Sequence, residues 1–153
     1  MDPLSISAAV VASLQVACSI LFNCYRVRAE MRKIPGTLIQ IIDEVRDLRN
    51  LIESVESVLD REQFSDDTSL TALETSQGFA HVTKTAVANC LAEFRIIESR
   101  ICLEQVDTLM SSKRKAFLQS LTWHLRGDDV KESIASLQRC KAALNLAISS
   151  HNS

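Results

Sequence analysis

The 153-residue chain predicts an all-α fold, a bundle of four to five helices with an apolar N-terminal helix. Three observations lead there. Leu38, Ile41, Val45, Leu48, Ile52, Val55 and Leu59 alternate three and four residues apart with charges between them, the period of one helix face. Three glycines and two prolines are too little punctuation for the turns that sheets and hairpins need. Pro3 to Tyr25 is an uncharged run of 23 positions in an otherwise heavily charged chain.

That opening run sets the functional question. As a helix it extends roughly 30 Å at about 1.5 Å per residue, which is bilayer thickness, so it reads equally as a buried core helix or a membrane-entering one. Asp2 with Pro3, or Ser5, suits its start; the helix covers about residues 5–33, and Ile34-Pro35-Gly36 stops it. Ala8, Ala12, Gln15, Ser19, Asn23, Arg26 and Glu30 make a narrow small-to-polar stripe, while Ile6, Val10, Leu14, Phe22 and their neighbours cover most of the remaining circumference. Such a helix calls for apolar company on nearly every side. A secretory signal peptide fits poorly, because Asp2 precedes the run and the basic cluster Arg26, Arg28, Arg32, Lys33 follows it. Ser13, Gln15, Ser19 and Asn23 interrupt the apolar surface and disfavour a permanent single-span anchor, so a soluble resting form is expected.

The regular spacing predicts a second helix over 36–61. Leu51 and Val58 widen its stripe beyond a two-stranded seam, which favours a bundle over a free coiled-coil dimer. Residues 62–78 are polar and rich in turn formers and read as a crossover connection, within which Asp67, Leu70 and Leu73 fit a short capped helix over 67–75. A third long helix over 79–107 carries Val87, Cys90, Phe94, Ile97 and Ile101 at three-four spacing. Ser111 or Ser112 suits the cap of a fourth over 112–126, with Phe117, Leu118, Leu121 and Leu125 on one face and Gly127 at its stop. Asp129-Val130-Lys131-Glu132 resembles a capping box and opens a fifth over 129–149, which turns Val130, Ile134, Leu137, Leu144 and Ile148 inward before a polar end expected to fray. No internal repeat interrupts this single domain over 1–153.

The search for chemistry is short. GxxxxGK[ST] and GxGxxG are absent, and Gly36, Gly78 and Gly127 alone assemble no nucleotide cradle. His81, His124 and His151 lie far apart with no HExxH, so no metal or cofactor site is expected. Acidic pairs such as Asp43-Glu44 and Asp66-Asp67 read as solvated surface, and no Ser or Cys nucleophile has a nominated base, so enzyme activity is not expected. The five cysteines, Cys18, Cys24, Cys90, Cys102 and Cys140, have no metal spacing and read as small core residues in a reducing cytosol. With 17 basic residues against 19 acidic there is no global pull toward nucleic acid, and the aromatics that would stack bases are missing. Lys113, Arg114, Lys115, His124 and Arg126 read as a solvated helix face, or as contacts for anionic lipid headgroups or an acidic partner. Trp123 reads as a packed bundle residue before a headgroup-level one.

The opening Met-Asp-Pro-Leu-Ser-Ile-Ser-Ala, the Ala/Val-rich run after it and the Pro-Gly near position 35 resemble the N-terminal domain of fungal STAND proteins, the HeLo-like group. So do Lys113-Arg114-Lys115, Leu121-Thr122-Trp123, Val130-Lys131-Glu132-Ser133-Ile134 and the closing Cys140-Lys141-Ala142-Ala143-Leu144-Asn145-Leu146-Ala147-Ile148. The likeness spans nearly the whole chain and is specific at its two ends, whereas residues 62–78 fit many helical proteins. It implies a helical bundle fused to, or partnered with, an NLR-type nucleotide switch or an amyloid signalling module. It also implies a role in fungal non-self recognition, innate immunity, heterokaryon incompatibility and regulated cell death, executed by putting the N-terminal helix into the plasma membrane. No switch module or amyloid motif stands within these 153 residues.

The leading expectation is therefore a signalling or effector domain, cytoplasmic at rest and at the plasma membrane when activated. Homo-oligomerisation frees the segment from Leu4 to Phe22, with Leu4, Ile6, Val10, Val11, Leu14, Ile20, Leu21 and Phe22 entering lipid. Arg26, Arg28, Arg32, Lys33, Lys113, Arg114, Lys115 and Arg126 would meet anionic headgroups or a partner. The alternative is an adaptor bundle that transmits activation by protein contacts and never meets lipid, since every feature of the first helix also suits a central bundle helix.

Overall fold

A computed structural model describes residues 3–30, 35–63, 70–100 and 128–152. Among these there are four helices and no strand: α1 (Pro3–Glu30), α2 (Gly36–Gln63), α3 (Leu70–Arg100) and α4 (Asp128–Asn152). Pro3 opens α1, where its fixed φ suits a first turn and its missing N–H costs no helical hydrogen bond. Pro35 stands between α1 and α2, and its carbonyl accepts a hydrogen bond from the Leu38 N–H at 3.1 Å, which sets the first turn of α2.

The helices form a square in cross-section. α1 packs on α2 and α3, α4 packs on the same two, and α2 and α3 meet only thinly across the diagonal. Arg100 near the end of α3 donates to Ser133 near the start of α4 at 3.1 Å, so those two helices run antiparallel. The interior is filled by the residues whose spacing announced it: Leu38, Ile41, Val45, Leu48, Ile52 and Val55 of α2, Val87, Cys90, Phe94 and Ile97 of α3, and Val130, Ile134, Leu137 and Leu144 of α4 are all buried. Leu51, Leu59 and Ile148 pack against this core half-buried, and Val58 rather than Leu59 completes the α2 stripe.

Polar contacts fasten α4 to α2 at the rim. Lys141 Nζ lies 2.9 Å from Glu44 Oε2 and 3.3 Å from Asp47 Oδ2, and Gln138 Nε2 donates to Glu44 Oε1 at 3.5 Å. The two carboxylates hold the Lys141 ammonium above its ordinary pKa, Glu44 contributing most.

Two expectations are corrected. The described part of the crossover expected over 62–78 is helix: α2 runs through Gln63 and α3 begins at Leu70, so residues 70–75 of the expected short helix are the first part of α3, and residues 64–69 lie outside the described residues. Gly78, taken as turn punctuation, is exposed, has no positive φ and would place an added Cβ in open space. A glycine without a special backbone role costs a helix only about 1 kcal/mol, too little to stop one that packs along its length. The polar end expected to fray is likewise helical through Asn152. The expected helix over 112–126 and residues 101–107 lie outside the described residues.

Candidate functional site

α1 is 28 residues long, and its stretch Ile6–Ala29 is long and apolar enough to cross a bilayer by length and composition. The same is true of many soluble core helices, so which side chains face inward matters. Ile6, Val10, Ser13, Ala17, Ile20, Cys24 and Val27 are buried at alternating three- and four-residue steps, with Leu21 and Asn23 beside them. This stripe is seated between α2 and α3 and is part of the common core.

The opposite stripe is exposed. Ala8, Val11, Gln15, Cys18, Phe22, Tyr25 and Ala29 recur at the same three-four spacing along about 30 Å of helix and carry no charge. Val11 is 49% exposed, Tyr25 42% and Phe22 63%. The expectation that the bundle buries the whole segment from Leu4 to Phe22 is thus corrected. Ile6, Val10, Ile20 and Leu21 are buried and Leu14 packs on the core half-buried, whereas Val11 and Phe22 face outward. Leu4 belongs to α1.

The expected small-to-polar stripe is also displaced. Ala8 and Gln15 do face solvent, Ala12, Ser19 and Arg26 are half-buried, and Asn23 is buried. The outward face follows the 8, 11, 15, 18, 22, 25, 29 register instead. A helix that is apolar around most of its circumference can satisfy its neighbours in several rotations, and the one adopted here turns Ser13 and Asn23 inward.

At the C-terminal end of this stripe the charge begins. The Arg26 guanidinium lies over the Phe22 ring, 5.8 Å from its centroid, and Arg28 is exposed one position before Ala29. Tyr25 Oη accepts a hydrogen bond from the Arg46 guanidinium, which ties the outer edge of α1 to α2. Tyr25 and Cys18 were missed as members of this surface, and the heptad count along the outer face is the signal that finds them. Arg32, Lys33, Lys113, Arg114, Lys115 and Arg126 lie outside the described residues.

Two buried hydroxyls weaken the seat of α1. Ser13 Oγ on α1 and Thr83 Oγ1 on α3 are buried without a hydrogen-bond partner among the described residues. An unsatisfied buried hydroxyl costs about 1–3 kcal/mol. Comparison with protein-family models, curated proteins and solved structures finds no match for this chain.

Proposed function

We propose that the chain is a membrane-perturbing signalling domain in which α1 engages lipid, first by its exposed uncharged stripe and then, once copies are clustered, by leaving its seat between α2 and α3. One observation carries this reading: a helix of bilayer-spanning length and apolarity presents Val11, Phe22 and Tyr25 to solvent in the folded state. The resemblance to the HeLo-like group supports the same role, in fungal non-self recognition and regulated cell death, with an NLR or amyloid module supplying the clustering. Arg26 and Arg28 lie where the uncharged stretch ends and suit anionic headgroups at the cytoplasmic face. At rest the domain is cytoplasmic; activation takes it to the plasma membrane.

Withdrawal of α1 exposes its buried stripe, so it requires an agent that binds the opened form better than the closed one. Self-association of opened copies supplies that difference. The adaptor reading is favoured by a different observation: Ile6, Val10, Ala17, Ile20, Leu21, Cys24 and Val27 are all core residues, at most 4% exposed, as a permanent bundle helix requires.

Dye-loaded vesicles separate the two. The domain, forced into oligomers by a fused scaffold, is expected to release dye from vesicles containing anionic lipid, and release weakens when Arg26, Arg28, Arg32 and Lys33 are neutralised. Vesicles that stay intact under forced clustering sink the membrane reading and leave the adaptor.

A further inference from the structure

The outward stripe of α1 has a stricter period than lipid contact calls for. Ala8, Val11, Gln15, Cys18, Phe22, Tyr25 and Ala29 alternate steps of three and four without a break, the seven-residue repeat of a seam between two helices. A bilayer imposes no such register, whereas a second helix does, because each side chain must enter a gap between side chains of the other. α1 stands at the corner of the square diagonal to α4, so α2 and α3 fall away on either side of the stripe and leave room for another helix to lie along it.

Size is spread unevenly along the stripe. Its N-terminal half carries Ala8 and Val11, its C-terminal half Phe22 and Tyr25, with Gln15 and Cys18 between. An antiparallel second copy sets Tyr25 against its Ala8, Phe22 against its Val11 and Gln15 against its Cys18, and two-fold symmetry repeats all three layers. Large side chains thereby meet small ones, as close packing requires. A parallel copy in register stacks Phe22 on Phe22 and Tyr25 on Tyr25, and leaves a gap between facing Ala8 residues. Sliding the antiparallel pair by one heptad sets Val11 against Ala29 and leaves a similar gap. Charge selects the same arrangement. A parallel pair crowds Arg26 and Arg28 of both copies at one end, whereas the antiparallel pair holds the two sets roughly 30 Å apart at about 1.5 Å per residue. Ser7, Ala12, Leu14 and Ser19, half-buried along the edges of the stripe, are uncharged.

We infer that a second copy of this chain covers the outward stripe of α1 at rest, in an antiparallel two-fold dimer centred between Gln15 and Cys18, and withholds that surface until lipid competes for it. The competition with lipid rests on the membrane reading above; the pairing itself does not. A stripe about 30 Å long on a helix about 10 Å across hides roughly 300 Å² per copy, well under the roughly 800 Å² per partner of a stable dimer. The dimer is therefore weak, with a dissociation constant on the order of 100 μM, and dilute protein leaves the stripe open, Cys18 included.

Sedimentation velocity of the full chain without lipid, from about 5 to about 500 μM, is expected to pass from monomer toward dimer. Phe22→Asp should stay monomeric with its helix content unchanged. Register is read by oxidation in a Cys18→Ser background. Val11→Cys mixed with Phe22→Cys should give a covalent heterodimer, told from homodimers by an affinity tag on one of the two. Phe22→Cys alone should give none, since its two thiols lie roughly 16 Å apart along the axis, beyond disulfide reach. A chain that stays monomeric across the range overturns the inference. So does Phe22→Cys linking to itself as readily as to Val11→Cys, the mark of a parallel pair. The wild-type sedimentation decides the matter alone if a variant fails to fold. Dye release by a chain that never dimerises keeps the membrane reading and sinks this one, and a dimer that leaves vesicles intact under forced clustering does the reverse.

Discussion

The Arg26 guanidinium covers the ring of Phe22 at 5.8 Å, so the most exposed aromatic of α1 is partnered by a cation from its own helix, one turn on. Such a contact at an exposed site stabilises by about 0.5–1 kcal/mol. It also joins the two chemistries a lipid interface offers, since the ring sits where the uncharged stripe ends and the cation where the basic residues begin. Phe22→Asp tests this surface without touching the core. The variant is expected to lose most vesicle association and dye release while its thermal midpoint falls by no more than about 3 °C, because the residue removed is solvent-facing and loses only the ring contact. Unchanged release would remove Phe22 from the lipid contact.

Gly78 distinguishes a helix from a turn. It sits inside α3 with no positive φ, and a Cβ there meets nothing within 4 Å. Gly78→Ala should therefore stabilise the domain by about 0.5–1 kcal/mol, read from chemical denaturation with an unchanged slope. Destabilisation would restore the crossover turn that the sequence suggested for 62–78.

How much of this was legible depends on how unevenly polarity is spread around each helix. In α2 the charges Asp43, Arg46, Asp47 and Arg49 leave one way to orient the cylinder, and the stripe from Leu38 to Val55 is buried as its spacing requires. In α3 the same holds for Val87, Cys90, Phe94 and Ile97, although Thr83 joins them unannounced. α1 is different. With no charge between Pro3 and Tyr25, its length and apolarity are legible but not its rotation: the sequence groups Phe22 with the apolar residues and Asn23 with the small-to-polar stripe, while packing exposes Phe22 and buries Asn23. Only contacts with α2 and α3 fix that angle.

Ser13 offers a way to tune how firmly α1 is held. Its hydroxyl is buried without a partner, so Ser13→Ala removes a polar group that is already paying its desolvation cost and keeps the small size that the α1 seat requires. The substitution is expected to stabilise the folded domain by about 1 kcal/mol. If clustering works by drawing α1 out, the same variant should need a higher protein concentration to release vesicle contents, though it leaves every exposed residue intact. A stabilised variant with unaltered release would mean that α1 stays seated while the membrane is breached.

Cys24 reports on that withdrawal directly. It lies fully buried on α1, and loss of solvent pushes its thiol from 9.0 up to about 12. Because the folded value lies above the unfolded one, the stability associated with the neutral thiol is complete below pH 9. It is lost as pH rises toward 12, by up to about 4 kcal/mol if this group acts alone. Denaturation midpoints should fall across that window, and Cys24→Ala should flatten the fall in part, Cys90 being raised as well. At pH 8 the same burial protects Cys24 from maleimide, while exposed Cys18 on the same helix reacts at once. Clustering on anionic vesicles should then make Cys24 reactive in step with dye release. If dye escapes while Cys24 remains protected, α1 perturbs the bilayer from its seat by the outward stripe alone, and insertion is not the mechanism.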